Sequence, residues 1–218
     1  MLQIIDKKTE IRDLKPLSQG EKFVLSNWSG LTSDQQFLVH DYIDKEITRQ
    51  DIIDSFKKYY FDSSDFQRPF LLCMIRGFAG IGYGNFRVKK YFEEEGIDKI
   101  KTTLKIIHDN QQEAAYNLLS SINMLGVSYI SKIMYFAERS FKSENYSLIF
   151  DQRVANSLVK LSLPEELSKS LDVFPSGKYI NYKSYCNYIN KLSDEIKVPA
   201  ENIEYYLFNL TRKENGQK

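Results

Sequence analysis

The sequence predicts an all-α fold, arranged as a single domain over residues 1–218, and three observations support this prediction. Most segments place apolar residues three and four positions apart, as amphipathic helices do, and strict alternation is scarce. Capping and helix-breaking residues fall between those segments rather than within them. Apolar residues form 42% of the chain and aromatic residues 14%, a content that can fill a sizeable core and that disordered chains lack.

The first third is expected to form two capped helices after residues 1–30, which show no clear period. The stretch SDQQFLVHDYIDKEI predicts a helix near 34–47 with Ser33 as its N-cap, because a serine side chain can accept a hydrogen bond from the first turn. The stretch ITRQDIIDSFKKYYF predicts a second helix, for which Thr48 is the N-cap.

An apolar run that begins at Pro69 leads into a glycine-rich break and then resumes as a helix that ends at Gly96. Glycine permits backbone conformations and close approaches that other residues hinder, so a cluster of glycines indicates a tight turn. The glycines of this break are Gly77, Gly80, Gly82 and Gly84.

The remaining helices follow from the same periodicity. Two of them, IDKIKTTLKIIHDN and QQEAAYNLLSSI, precede a short turn, NMLGVS, and the helix YISKIMYFAERSF follows that turn. The last third contains DQRVANSLVKL, KSYCNYINKLSDEIK and PAENIEYYLFNL, where Pro199 suits a helix start. Residues 212–218 are expected to form a disordered tail.

Composition and charge exclude several function classes. The 30 basic and 29 acidic residues give a net charge of +1, so any nucleic-acid surface has to be a local patch. The chain has no long uncharged apolar window, and its N-terminus lacks the apolar segment of a signal peptide, which predicts a cytoplasmic protein without a membrane partner. The cysteines and histidines, Cys73, Cys186, His40 and His108, cannot supply a four-ligand zinc site or favour a serine triad. We therefore expect no cofactor, and two buried structural thiols.

Two charged residues stand out around the turn NMLGVS. Lys132 lies among apolar and aromatic residues near the start of the helix that follows the turn, and Asp151 opens the next helix nineteen positions later. A lysine amine attacks carbon only when it is neutral, a state that apolar surroundings and a helix N-terminus favour. A carboxylate can stabilise the positive charge that develops as a bond to carbon breaks. Both residues also suit plain structural roles, since lysine stems often cover apolar surface and aspartate is a preferred N-cap.

The motifs around these residues resemble the helix-hairpin-helix DNA glycosylases, in particular small stand-alone bacterial proteins with a fold like that of 8-oxoguanine DNA glycosylase (OGG). The segment GVSYISKIMYFA, residues 126–137, matches a lysine motif of those proteins, and LIFDQRVA, residues 148–155, matches an aspartate motif. The segment GFAGIGYGNFRVKK, residues 77–90, matches a glycine-tyrosine-glycine segment further upstream. The sequence differs from the superfamily where Ser128 and Ile130 occupy positions at which its hairpin has glycine.

The resemblance implies a helix-hairpin-helix DNA glycosylase-like helical domain that flips a damaged or modified purine, such as 8-oxoguanine, out of duplex DNA and cleaves its N-glycosidic bond. It implies that Lys132 forms a Schiff base with the sugar, which adds AP lyase activity, and that Asp151 assists departure of the base. The residues that it implies as contacts to DNA or to the extruded base are Gly82, Tyr83, Gly84, Phe86, Arg87, Gly126, Ser128 and Arg153. Small relatives occur near anti-phage genes, so a defence role with defence-system protein partners stands beside housekeeping repair.

Alternatives remain open on the sequence. The glycine-rich segment suits a strained turn between packed helices as well as a base pocket. Tyr179, Tyr182, Tyr185 and Tyr188 recur every three positions, which is typical of a core or interface stripe and also of a stacking surface. The whole chain also suits a non-catalytic module that binds nucleic acid or a partner protein and retains the glycosylase fold, an alternative that the near-neutral charge favours.

Overall fold

The computed structural model describes residues 2–62, 64–78 and 83–214, including a few positions, Tyr83 among them, of which only the backbone is described. The chain divides into two compact units. The terminal unit consists of Met1–Pro16 with Ser147–Lys218, and the central unit is Leu17–Tyr146. The described residues are mainly helical and carry one two-stranded sheet, which confirms the all-α prediction.

The described residues form the following α-helices, in chain order. They are α1 (Leu2–Ile5), α2 (Lys8–Arg12), α3 (Ser33–Val39), α4 (Arg49–Asp62), α5 (Gln67–Phe78), α6 (Tyr83–Tyr91), α7 (Glu94–His108), α8 (Gln112–Ser120), α9 (Val127–Arg139), α10 (Gln152–Ser162), α11 (Glu165–Lys169), α12 (Tyr179–Ile196) and α13 (Ala200–Glu214). The strands β1 (Gly20–Lys22) and β2 (Glu46–Thr48) pair antiparallel, with Gly20 opposite Thr48.

The helix predicted near 34–47 is shorter than expected and has a different cap. Helix α3 ends at Val39, and its N-cap is Thr32 rather than Ser33, because the side chains of Thr32 and Gln35 exchange hydrogen bonds with each other's backbone N–H groups. Residues 46–48 pair with β1 instead of continuing the helix, and Asp44 adopts a positive φ of 59° on the way into the strand.

The predicted cap of the next helix is confirmed. The backbone N–H of Asp51 donates to Thr48 Oγ1 at 3.1 Å, and the N–H of Thr48 donates to the Asp51 carboxylate at 2.8 Å. Helix α4 therefore begins with a reciprocal pair of capping hydrogen bonds.

The helix predicted to run from the glycine break to Gly96 is two helices. Helix α6 ends at Tyr91 and α7 begins at Glu94, so Gly96 lies inside α7 rather than at a helix end. A Cβ atom at Gly96 would lie 2.3 Å from the Tyr91 carbonyl oxygen, so a glycine is needed where the chain turns from one helix into the next. Gly77 lies in α5 and Gly84 in α6, while Gly80 and Gly82 lie outside the described residues.

Helix α5 forms the centre of the central unit. Most of its residues are buried, and α3, α4, α6 and α9 pack against it. A helix that is apolar on nearly every face is a core helix, which agrees with the apolar run read from the sequence. Cys73 of α5 is fully buried as expected, whereas Cys186 of the terminal unit is only partly buried.

In the terminal unit α10, α12 and α2 pack against α13. The hydroxyl of Ser157 donates to the Leu207 carbonyl oxygen at 2.6 Å, and the amide of Asn202 donates to the carbonyl of Ile11 at 3.0 Å. These bonds tie α10 and the N-terminal segment to α13. Helix α13 continues to Glu214, and residues 215–218 lie outside the described part of the chain. No helix in the described residues combines the length and hydropathy that crossing a membrane requires.

Candidate functional site

Lys132 lies in the second turn of α9, one turn further into the helix than expected. Gly126 is the N-cap, and Lys132 is the sixth residue of the helix. Its side chain is only 8% exposed, and its helical neighbours Ile130, Ile133 and Met134 are buried. A buried lysine is uncommon, so its position calls for specific polar partners.

The Lys132 ammonium contacts the first turn of its own helix. Its Nζ atom donates to Ser128 Oγ at 2.9 Å and to the Ser128 carbonyl oxygen at 3.3 Å. The same nitrogen lies 5.5 Å from the centre of the Tyr129 ring, within cation–π range. The side chain therefore folds back along α9, in the direction that helical side chains favour.

Two stacked rings connect Lys132 to the glycine-rich segment. The rings of Phe78 and Tyr129 lie 4.3 Å apart at an interplanar angle of 26°, and we call this pair the ring stack. The guanidinium of Arg87 lies 5.9 Å from the centre of the Phe78 ring, and Trp28 meets Phe78 edge-on at 6.3 Å. The structure thus brings Arg87 and Lys132 to the same ring stack, each over a different ring.

Glycines allow this close packing. A Cβ atom at Gly77 would lie 3.2 Å from the Tyr129 ring and 3.5 Å from Lys132 Cδ. A Cβ atom at Gly84 would lie 2.7 Å from Phe78, closer than carbon atoms normally approach. Both positions place backbone directly against the ring stack, which explains two of the glycines that the sequence singled out.

Arg87 also presents an unsatisfied donor. Its Nε atom is buried and has no hydrogen-bond partner in the described part of the chain. Phe86, the preceding residue, is 54% exposed and available for contact. Tyr83 is the first residue of α6, and Gly82 lies outside the described residues.

Cys73 is a buried thiol in the electrostatic environment of Lys132. Burial raises the pKa of the Cys73 thiol to about 12, and the positive charges of Lys132 and Arg76 lower it only in part. The thiol therefore stays protonated at neutral pH and does not compete as a nucleophile. No local pattern predicts this proximity, because 59 positions separate the two residues.

The turn before α9 is held from α6. Met124 adopts a positive φ of 66°, and its carbonyl oxygen accepts a hydrogen bond from the Tyr91 hydroxyl at 2.9 Å. Gly126 caps α9 without a side-chain hydrogen bond, and a Cβ atom there would meet nothing within 4 Å. Ser128 and Ile130 lie inside α9, which begins at Val127.

Asp151 is the N-cap of α10 in the terminal unit, as the sequence predicts. Its Oδ1 atom accepts a hydrogen bond from the Val154 backbone N–H at 3.1 Å, and the residue is 9% exposed. Arg153, two residues later, places its guanidinium 5.1 Å from the centre of the Phe208 ring. The capping bond fixes one carboxylate oxygen relative to the helix axis.

Two residues of the tyrosine stripe hold the segment that leads into Asp151. The hydroxyl of Tyr182 donates to the Leu148 carbonyl oxygen at 2.9 Å, and that of Tyr185 donates to the Ile149 carbonyl oxygen at 2.8 Å. The Tyr185 ring stacks on Phe150 at 4.1 Å. Tyr182 and Tyr185 are buried, whereas Tyr188 is 39% exposed. The two central tyrosines of the stripe therefore belong to the core.

The predicted site residues fall in both units. Lys132, Gly126, Ser128 and the described glycine-segment residues belong to the central unit, and Asp151 and Arg153 belong to the terminal unit. In the described residues no group of three or more histidine, cysteine, aspartate or glutamate side chains could hold a metal ion.

Comparison with known proteins adds a family match. The family model described as "OGG: Putative 8-oxoguanine DNA glycosylase OGG-like protein" matches residues 15–208, which is most of the chain. No curated protein and no solved structure gave a significant match.

Proposed function

The chain belongs to the OGG-like protein family, and from this premise we propose that it excises a damaged or modified purine from DNA through a Schiff base on Lys132. The observation that carries the proposal is the buried lysine of α9, held by Ser128 and Tyr129 within the stretch that the family model covers. Its further elements are an AP lyase activity and a role for Asp151 in the departure of the base.

The proposed chemistry begins with Lys132 in its neutral form. Nζ forms a bond to the sugar C1′, the C1′–N9 bond breaks, and its electron pair leaves with the purine, which takes up a proton. The resulting N,O-acetal at C1′ then expels the ring oxygen O4′, which also takes up a proton, and a Schiff base forms between Nζ and C1′. Loss of a proton from C2′ and departure of the 3′-phosphate complete the lyase step.

The ring stack and Ser128 support this role for Lys132. Attack requires the amine to lose a proton and to leave the two Ser128 oxygens, which lie one turn away on the same helix. Until it does so, these contacts keep the amine in one orientation, which limits the conformational entropy lost on attack.

The role of Asp151 is to stabilise the positive charge that develops at C1′ as the base leaves. Its Oδ1 atom accepts the capping hydrogen bond from the Val154 backbone N–H, and this bond holds the carboxylate in one orientation. Lys132 and Asp151 belong to different units, and the family resemblance supports their pairing.

We place the contacts to DNA in the segments beside these residues. Phe86 is exposed for stacking on an extruded base, and the buried Nε of Arg87 is a donor for a phosphate or base oxygen. Gly126 and Ser128 lie at the N-terminus of α9, where backbone N–H groups suit a phosphate. Gly82, Tyr83 and Gly84 are proposed to line the pocket, and Arg153 to contact the strand.

Borohydride trapping on duplexes that contain 8-oxoguanine or other altered purines tests the proposal. We expect a covalent adduct that is lost in Lys132→Gln and retained in Lys191→Gln, which removes an exposed lysine of α12. Asp151→Asn is expected to slow base release by at least ~100-fold, in the range of general catalytic contributions. Base release without an adduct would overturn the Schiff base and leave direct hydrolysis.

The alternative function is a non-catalytic module that binds DNA or a partner protein. The net charge of +1 favours it, as does the presence of Ser128 and Ile130 at hairpin positions where the superfamily has glycine. This alternative predicts DNA binding that is unchanged in Lys132→Gln, with neither base release nor trapping on any altered purine. A role in anti-phage defence, with protein partners from a defence system, is the biological setting proposed beside repair.

A further inference from the structure

A cavity lies in the central unit, lined by residues that the proposed reaction does not use. Its volume is about 700 Å³, within the range typical of small-molecule sites. It lies beside α4 and α7, and its principal lining residues are Tyr59, Tyr60, Phe66, Lys101, Lys105 and His108.

One wall of the cavity is aromatic and held in place. The rings of Tyr60 and His108 are stacked with centres 5.2 Å apart, and the Tyr60 hydroxyl donates to the Leu104 carbonyl oxygen at 2.9 Å. Tyr59 meets Phe66 edge-on at 6.5 Å. These four rings are half-buried or exposed, so each leaves surface at the cavity.

Two lysines of α7 supply positive charge to the same cavity. Lys101 and Lys105 are one helical turn apart and exposed, and neither forms an ion pair with another residue in the described ranges. Lys99 on the same helix instead contacts Glu95 at 3.6 Å. Two carboxylates, Asp65 and Asp109, also line the cavity. Asp65 accepts a hydrogen bond from the Gln67 backbone N–H at 2.8 Å.

We propose that this cavity binds a nucleotide, with the base against the aromatic wall and the phosphate at Lys101 and Lys105. Flat rings stack on any base, and ammonium groups attract a phosphate as point charges, so this pairing of groups suits a nucleotide better than a wholly apolar ligand. The same chemistry fits a free nucleoside monophosphate and an unpaired nucleotide of a DNA strand. The proposal does not depend on catalysis by Lys132.

Calorimetric titration of the full chain with deoxyguanosine monophosphate and with a thymidine tetranucleotide tests the site. We expect saturable binding of at least one probe, weakened about tenfold in Lys101→Gln with Lys105→Gln, as two solvent-exposed charge contacts allow. The matched control, Lys99→Gln with Lys191→Gln, removes the same charge outside the cavity and should leave binding unchanged. Thermal unfolding of each variant checks that it is folded.

A second pair of variants tests the aromatic wall. Tyr59→Leu should weaken binding while Tyr59→Phe retains it, because stacking needs the ring and not the hydroxyl. Tighter binding of the monophosphate identifies a free nucleotide as the ligand, and tighter binding of the tetranucleotide identifies a strand. The proposal is overturned if neither probe saturates below about 1 mM, a weak affinity, or if the two double variants bind alike.

Discussion

Lys132 Nζ donates to the hydroxyl and the carbonyl of Ser128, so Ser128 holds the proposed nucleophile. For Ser128→Ala we expect the trapping rate on the high-pH plateau, where the amine is already neutral, to fall about tenfold, because Nζ loses a contact that orients it. We also expect the rising limb of its pH profile to move to lower pH, because the hydroxyl stabilises the ammonium form. Single-turnover trapping from pH 5 to 9 measures both effects.

The control for this prediction lies on the same turn. The Ser131 hydroxyl donates to the Ser128 carbonyl oxygen at 3.1 Å, so Ser131→Ala disturbs the same turn without removing the hydroxyl that contacts Lys132. Ser128→Thr keeps that hydroxyl and should restore most of the rate. Equal profiles for Ser128→Ala and Ser131→Ala would contradict the positioning role.

Residue-scale features differ in how far the sequence predicts them. The Asp151 cap could be predicted because its acceptor and donor lie three positions apart, within one turn. The stacking of Phe78 on Tyr129 could not, because the rings are 51 positions apart and no local period encodes which apolar residues meet. Gly77 was noticed as a break, yet it lies inside a helix and serves to admit the Tyr129 ring.

At the scale of elements, a substitution at the N-terminus of α9 can distinguish an effect on DNA binding from an effect on packing. Gly126 has an ordinary φ of −82° and open space where a Cβ would lie, so packing does not explain a glycine there. We expect Gly126→Ala to lower the free energy of unfolding by no more than about 1 kcal/mol, since alanine is disfavoured relative to glycine at an N-cap. If DNA approaches this backbone closely, the same variant should bind duplex about tenfold more weakly, because a methyl group blocks a phosphate contact.

Gly177 provides the matched comparison, since a Cβ atom there also meets nothing within 4 Å and it lies in the loop before α12. Gly177→Ala should change neither stability nor affinity. Fluorescence anisotropy with a labelled duplex and urea unfolding measure the two quantities. An affinity unchanged in Gly126→Ala would remove this helix end from the proposed interface.

Element boundaries show where local sequence signals end. The stretch predicted as a helix near 34–47 contains a suitable apolar period, but pairing of Ile47 with Glu21 in the sheet overrides it from residue 46 onward. Gly96 predicts a helix end, whereas it lies inside α7 and permits close contact with the Tyr91 carbonyl, so the break between α6 and α7 falls before Glu94. In both places a specific contact, rather than the local apolar period, determines where the helix ends.

At the scale of the whole molecule, composition and periodicity predict the fold class but not the two compact units into which the chain divides. The described residues are mainly helical, as the three- and four-residue spacing predicts, and the family model matches residues 15–208. The N-terminal 16 residues belong with the C-terminal third in one unit. That grouping depends on contacts such as Asn202 with Ile11, 191 positions apart, which no linear pattern reveals.

The net charge of +1 leads to a prediction about DNA affinity, because a protein without a global positive field binds DNA through few phosphate contacts. Each neutralised phosphate contributes a slope of roughly −0.9 to the dependence of log affinity on log salt concentration. We expect a total slope between about −2 and −4, and a slope shallower by about 1 in Arg87→Gln, whose Nε is the unsatisfied donor beside the ring stack. Arg12→Gln, an exposed change on α2, should leave the slope unchanged. Anisotropy titrations from 50 to 200 mM salt measure these slopes, and a slope steeper than about −8, or one indifferent to Arg87, would show that the phosphate contacts lie elsewhere.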